Sequence, residues 1–159
     1  MGKLYTSRYA NKDLANSNAI KVSISRGRPK FPLRYEIEAG LILLAPSSKI
    51  FGITDNEKFA RRYMEQLDGL GFPKVLEMLK NVGYGSDRDV VLLCFEDITC
   101  DNPKKNFCHR TVLAEWLRMH GIDSEEYPDS GCFANKPKKE KKPVRKPDDD
   151  ILEGQMALF

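Results

Sequence analysis

The chain predicts an α/β layered fold, a mostly parallel sheet flanked by helices, with a disordered C-terminal tail. Three observations carry this. The segment "DVVLLCF" (89–95) is an unbroken apolar run, the pattern of a strand covered on both faces. Helical periodicity precedes and follows it, so strands and helices interleave. From about Asn135 the composition changes to Lys, Pro and Asp, which cannot bury enough apolar surface to offset the entropy of ordering. The expected division is a globular domain over 1–134, a flexible linker over 135–152 and a terminal peptide over 153–159.

Within the globular part, "KLYTS" (3–7) and "AIKVSIS" (19–25) read as strands. In the second, Ile20, Val22 and Ile24 alternate with Lys21 and Ser23. "RGRPKFP" interrupts regular structure through Gly27, Pro29 and Pro32. "EIEAGLILLAP" (36–46) fits strand and helix equally. Asp55 is an N-cap for a helix whose Phe59, Tyr63, Leu67 and Leu70 fall on one face, with Gly69 and Gly71 ending it. Pro73 opens a second helix that Gly83 closes. "CHRTVLAEWLRMHG" is a third, with Val112, Leu113, Trp116 and Leu117 as its buried stripe.

Hydrophobic residues make up 41% and charged residues 31% of the 159, a balance set by the tail rather than by a weak core. A net charge of +3 is too small to imply nucleic-acid binding by itself. No apolar run approaches a membrane span, and the N-terminal stretch lacks the apolar core of a signal peptide. The expected location is the cytoplasm, away from membranes. There Cys94, Cys100, Cys108 and Cys132 are expected as thiols, metal ligands or catalysts rather than disulfides.

The chemistry concentrates where the apolar strand ends and the third helix begins. Cys94, Phe95 and Glu96 close the strand, and Cys108, His109 and Arg110 open the helix. Ligands bind at that end of an open α/β sheet. A helix start favours anions and thiolates, which marks Cys108 as the nucleophile or redox thiol. His109 is the expected proton carrier, Glu96 the acid or base, and Arg26 and Arg110 the anion clamps. Cys94, inside an apolar strand, also fits a small buried hydrophobe. Zinc is the lesser alternative. Cys94, Cys100, Cys108 and His109, with Cys132, offer enough ligands, but no short C-x₂₋₄-C pair is present and adjacent Cys108 and His109 seldom reach one ion. No cofactor is otherwise expected.

"VVLLCFEDITC...FCHRTVLAEWL" resembles the signature of an uncharacterised family, domain of unknown function 488. The match lies at Cys94, Glu96, Cys108, His109, Arg110, Leu113, Ala114 and Leu117. "LYTSRYANK" and "VSISRGRPKF" are similar to the opening of a branch common in phages and bacteria. The family's Asp-Val-Arg stands here as Ile24-Ser25-Arg26, keeping the arginine and losing the acid. The resemblance spans roughly residues 3–122. It implies an α/β fold and a site without a defined reaction. Together with the residue reading it draws Tyr5, Ser7, Arg8, Arg26, Cys94, Glu96, Cys108, His109 and Arg110 to one sheet edge, where three arginines suit a nucleotide or nucleic-acid phosphate. Arg28, Lys30 and Arg34, interleaved with Phe31 and Tyr35, add a stretch fit for backbone contact and base stacking.

The chain ends on "QMALF". It resembles the pentapeptide by which bacterial replication and repair proteins bind the sliding clamp. Leu158 and Phe159 would fill an apolar pocket, Gln155 would hydrogen-bond beside it, and Met156 would adapt to the surface between. A chance match at one fixed place is on the order of one in 10⁵. The expected protein is therefore a DNA- or nucleotide-processing protein recruited to the clamp, acting on or binding its ligand at the Cys-His-Arg site. The alternative is a non-catalytic phage protein that occupies the host clamp.

Overall fold

A computed structural model describes residues 2–99 and 107–135. Five strands form one sheet: β1 (Leu4–Arg8), β2 (Ile20–Ser23), β3 (Ala39–Gly40), β4 (Val90–Cys94) and β5 (Ser124–Glu126). Their order is β3-β2-β4-β1-β5, and every pairing is parallel. Four helices accompany it: α1 (Ser48–Phe51), α2 (Asn56–Leu70), α3 (Phe72–Asn81) and α4 (His109–Met119). The layered α/β architecture is the one its pattern predicts. The Lys/Pro stretch after Asn135, the "QMALF" peptide and Cys100 lie outside the described residues. No described helix is long and apolar enough to cross a membrane.

β4 is the centre of the sheet, and all five of its residues are buried. Alternation splits them between two cores. Val90 and Leu92 join the helical side with Val22, Tyr63, Leu67, Leu113 and Trp116. Val91 and Leu93 face the other side with Tyr9, Leu14 and Ala19, where partly buried Leu33, Tyr35 and Ile37 complete the layer. That second layer is an irregular strap, with one 3₁₀ turn over Lys12–Asn16, rather than helix.

The strap corrects the polar face expected of β2, because Lys21 and Ser23 are buried beneath it. Lys21 Nζ donates to the Ser17 carbonyl at 2.7 Å, and Tyr9 Oη and Ser23 Oγ share a 2.6 Å bond, so neither polar group is left unpaired. The ambiguous 36–46 segment resolves into the two residues of β3 and a 3₁₀ turn, Ile42–Leu44. Tyr63 Oη donates to the Leu44 carbonyl at 2.6 Å, and Gln66 Nε2 donates to that of Ala45 at 2.8 Å, so α2 splints the turn.

The helices start and stop largely where their punctuation says. Asp55 caps α2, its carboxylate accepting from the Glu57 amide. Gly71 ends that helix at φ +86° while Gly69 stays inside it, and α3 starts at Phe72, one residue before Pro73. Trp116 Nε1 donates to Asp68 at 2.9 Å and joins α4 to α2. β5 has no counterpart in the sequence reading. At three residues, two of them exposed, it is too short and polar to announce itself.

Gly83 has φ +122°, and a methyl group there would run into Ile20 Cδ1. Left-handed strain and overpacking add, so Gly83→Ala is expected to destabilise the protein by about 2–4 kcal/mol in urea unfolding. An unchanged midpoint would show that Ile20 yields freely.

Candidate functional site

After β2 the chain turns outward to β3, whereas after β4 it crosses β1 to reach β5. The connections therefore diverge between β2 and β4, and in α/β sheets a crevice opens at the carboxyl ends of such a pair. Here it is a cavity of about 440 Å³. Ser25, Arg26 and Gly27 line it after β2, and Cys94, Phe95 and Glu96 line it after β4. Its apolar wall includes Phe51, Ile53, Phe59 and Phe107, with Phe59 and Phe107 edge to face at 5.2 Å.

His109 lines the same cavity and is buried. Its Nε2 lies 2.7 Å from the Ile24 carbonyl oxygen. A carbonyl only accepts, so Nε2 carries the proton and Nδ1 presents a lone pair. Burial pushes the imidazole pKa down to about 4; the Ile24 bond opposes that shift and the nearby Arg110 charge adds to it. At pH 7 the ring is a neutral lone-pair donor. This corrects the role of proton carrier near neutrality, since the cost of burying a charge outweighs the single stabilising hydrogen bond.

Cys108 is the N-cap residue of α4, but its side chain caps no amide. Its sulfur lies 3.8 Å from His109 Nδ1. It is also joined to Cys94 in a disulfide, with the two Cα atoms 7.5 Å apart. The expectation of free thiols is corrected for this pair, because the end of β4 and the start of α4 aim both side chains at one point. Cys132 is free and buried. The Cys94 and Cys108 sulfurs and a ring nitrogen of His109 lie within 4.8 Å of one another, a buried group able to hold a metal ion.

Arg110 is buried as well, at 1% exposure. Nε and Nη2 donate to the Glu126 carboxylate at 2.8 and 3.2 Å, while Nη1 donates to the Glu96 carbonyl at 2.7 Å and lies 3.2 Å from the Cys94 sulfur. The guanidinium is thus turned onto the protein and does not grip a ligand, which corrects the anion-clamp expectation at this position. Arg26 keeps its place on the cavity wall, with Nε donating to the Pro46 carbonyl. The Glu96 carboxylate lies 4.0 Å from the Cys94 sulfur.

The remaining expected residues stand apart from the cavity. Arg8 pairs with Asp129 at 2.7 Å and donates to the Gly131 carbonyl, and Asp129 holds its pKa above the usual value. Ser7 Oγ is buried and accepts from Asn11. Tyr5 packs edge-on against Tyr127. Ser7 and Arg8 end β1 at the same carboxyl edge, with Arg8 opposite Cys94, but of the nine expected residues only Arg26, Cys94, Glu96 and His109 line the cavity, with Cys108 and Arg110 set against Cys94. In the basic-aromatic stretch, Tyr35 Oη donates to the Tyr9 carbonyl and its partly buried ring packs on the second core, while Phe31 is exposed.

The sequence reading missed the cavity's aromatic wall. Phe59 read only as a core position of α2, and Phe51 and Phe107 carry no periodic signal. Glu126 was invisible because its partner lies across the α4–β5 turn. No protein-family model, curated protein or solved structure matches the chain.

Removing the Glu126 carboxylate strands the buried guanidinium and the Thr6 hydroxyl that also donates to it. Glu126→Ala is expected to lower stability in urea unfolding by about 2–4 kcal/mol, below the full value for a buried pair because Glu126 is partly solvated. The paired change Arg110→Met with Glu126→Leu should recover most of the loss. A single change without effect would remove the anchoring role given to this pair.

Proposed function

We propose that the protein processes a nucleotide or a base of DNA in this cavity and is brought to its substrate by a sliding clamp that captures the C-terminal peptide. The observation that carries the reading is the make-up of the cavity: aromatic walls beside one arginine, at the carboxyl edge where the sheet connections diverge. Aromatic side chains stack on any base, at about 1–3 kcal/mol per base. Arg26 supplies the charge for a phosphate. A volume of about 440 Å³ lies within the roughly 300–1,000 Å³ usual for small-molecule sites. The chemistry is assigned to the cysteines, His109 and Glu96 at its base. The motif resemblance to domain of unknown function 488 points to the same residues.

The terminal "QMALF" supplies recruitment, and the Lys/Pro stretch before it is read as the tether. The peptide "ILEGQMALF" is expected to bind a bacterial-type clamp at about −7 to −9 kcal/mol, in the micromolar range. Alanine at Leu158 and Phe159 should abolish this in calorimetry and leave the melting temperature of the full chain unchanged. A drop of several degrees would mean that the tail packs on its own body instead.

Nucleoside monophosphates and short single-stranded DNA should bind the full chain in calorimetric titration. Arg26→Ala and Phe51→Ala should each weaken binding about tenfold, the order of one lost charge or stacking contact. Phe51 is 72% exposed, so its replacement leaves the fold intact. A chain that binds the clamp but takes no nucleotide or DNA would favour the non-catalytic clamp-occupying protein.

A further inference from the structure

We infer that the reduced protein holds a zinc ion on Cys94 Sγ, Cys108 Sγ and His109 Nδ1, with the fourth position open to the cavity. Four observations support this. First, the three donor atoms converge within 4.8 Å although they come from the end of β4 and the start of α4. A tetrahedral zinc, with bonds of about 2.3 Å to sulfur and 2.0–2.1 Å to nitrogen, sets its ligands roughly 3.5–3.8 Å apart. Cys108 Sγ and His109 Nδ1 already stand 3.8 Å apart. Adjacency in the chain, the objection raised by the sequence, is overcome because Cys108 is extended at φ −150° and ψ 149° while His109 is the first helical residue. Their side chains can therefore meet.

Second, the surroundings are those of a ligand set. The bond from His109 Nε2–H to the Ile24 carbonyl holds the ring with Nδ1 toward the sulfurs. Metal-binding histidines are oriented in this way. Arg110 places an N–H 3.2 Å from the Cys94 sulfur and is itself fixed by Glu126. Third, the donors are two sulfurs and an imidazole, which select zinc over magnesium or calcium. Fourth, Cys94 and His109 both line the cavity. Three protein ligands with one open position define a catalytic zinc site rather than a structural one. Water bound there is acidified. Glu96, on the same wall and 4.0 Å from Cys94 Sγ, is placed to take its proton.

The ion and the Cys94–Cys108 disulfide are alternatives in one place, because each claims both sulfurs. Reduction by a phosphine delivers two electrons to the disulfide and yields two thiols, with the phosphine converted to its oxide by water. Zinc then displaces the two thiol protons. A peroxide re-forms the disulfide by taking two electrons from the thiolates, is itself reduced to water, and releases the ion. The inference stands independently of the nucleotide reading, since it concerns the ion alone.

The test uses the full chain, reduced with a phosphine and freed of metal, then titrated with Co²⁺ as a spectroscopic probe. About one equivalent should bind, with thiolate-to-cobalt charge transfer in the near ultraviolet and the strong visible bands of tetrahedral cobalt. Zinc should bleach both. Cys94→Ser, Cys108→Ser and His109→Gln should each lose the spectrum while circular dichroism stays that of the folded protein, and Cys132→Ser should keep it. Where one of these variants fails to fold, the reduced wild type decides: no cobalt uptake by the folded, reduced chain overturns the inference. Equal uptake by the oxidised protein also overturns it, as does survival of the spectrum in folded Cys94→Ser. Loss of the spectrum in Cys100→Ser would close the fourth position and overturn the open site.

Discussion

The buried guanidinium of Arg110 holds the site together. It is delivered by the first turn of α4 and is almost wholly removed from water. A charge in that position is tolerable only when its donors are satisfied, and here they reach three places at once. The Glu126 carboxylate comes from β5, the Glu96 carbonyl from the loop after β4, and the Cys94 sulfur from the end of β4. The ion pair thus ties the outermost strand to the central one through the helix that connects them. It also orients the segment that carries Glu96 and sets a cation against Cys94. The residue that looked most like a ligand grip acts on the architecture of the site.

The cavity is a consequence of the strand order. Because β2 and β4 are neighbours whose connections leave in opposite directions, a crevice opens above their carboxyl ends. The α1–α2 region and the start of α4 roof that space with Phe51, Phe59 and Phe107. One wall is therefore apolar while the strand ends contribute Arg26, Glu96 and the cysteine–histidine group. His109 belongs to both parts: its ring lies edge-on to Tyr63 at 5.5 Å in the helical core, and its Nδ1 faces the sulfurs. The same burial that packs the ring keeps it neutral at pH 7.

The far side of the sheet carries a different lesson. An apolar run such as "VVLLC" says that both faces of a strand are covered, and helices are the usual cover. Here one face is covered by a strap that includes residues 33–37 and by a 3₁₀ turn. That cover accounts for the burial of Lys21, and the Asp13 carboxylate pins it to the 129–131 loop by accepting from Ser130. Hydrogen bonding to Ser130 holds the Asp13 pKa below the usual carboxylate range.

Local pattern alone determined the layered α/β class, the strands β1, β2 and β4, the three long helices with most of their ends, and the placement of Cys94, Glu96, Cys108, His109 and Arg110 at one edge. These follow from periodicity, capping and punctuation, which act over a few residues. The tertiary structure decided what those side chains do there. It turned Arg110 inward, kept Tyr5, Ser7 and Arg8 out of the cavity, made His109 neutral, and brought two sulfurs and an imidazole to one point. It also created β3 and β5, which exist through their pairing with β2 and β1 rather than through their own propensity. The reason is common to all of these. Charge state and partner choice depend on burial and on atoms more than ten positions away, such as Glu126 for Arg110 and Ile24 for His109, and no local pattern encodes that distance.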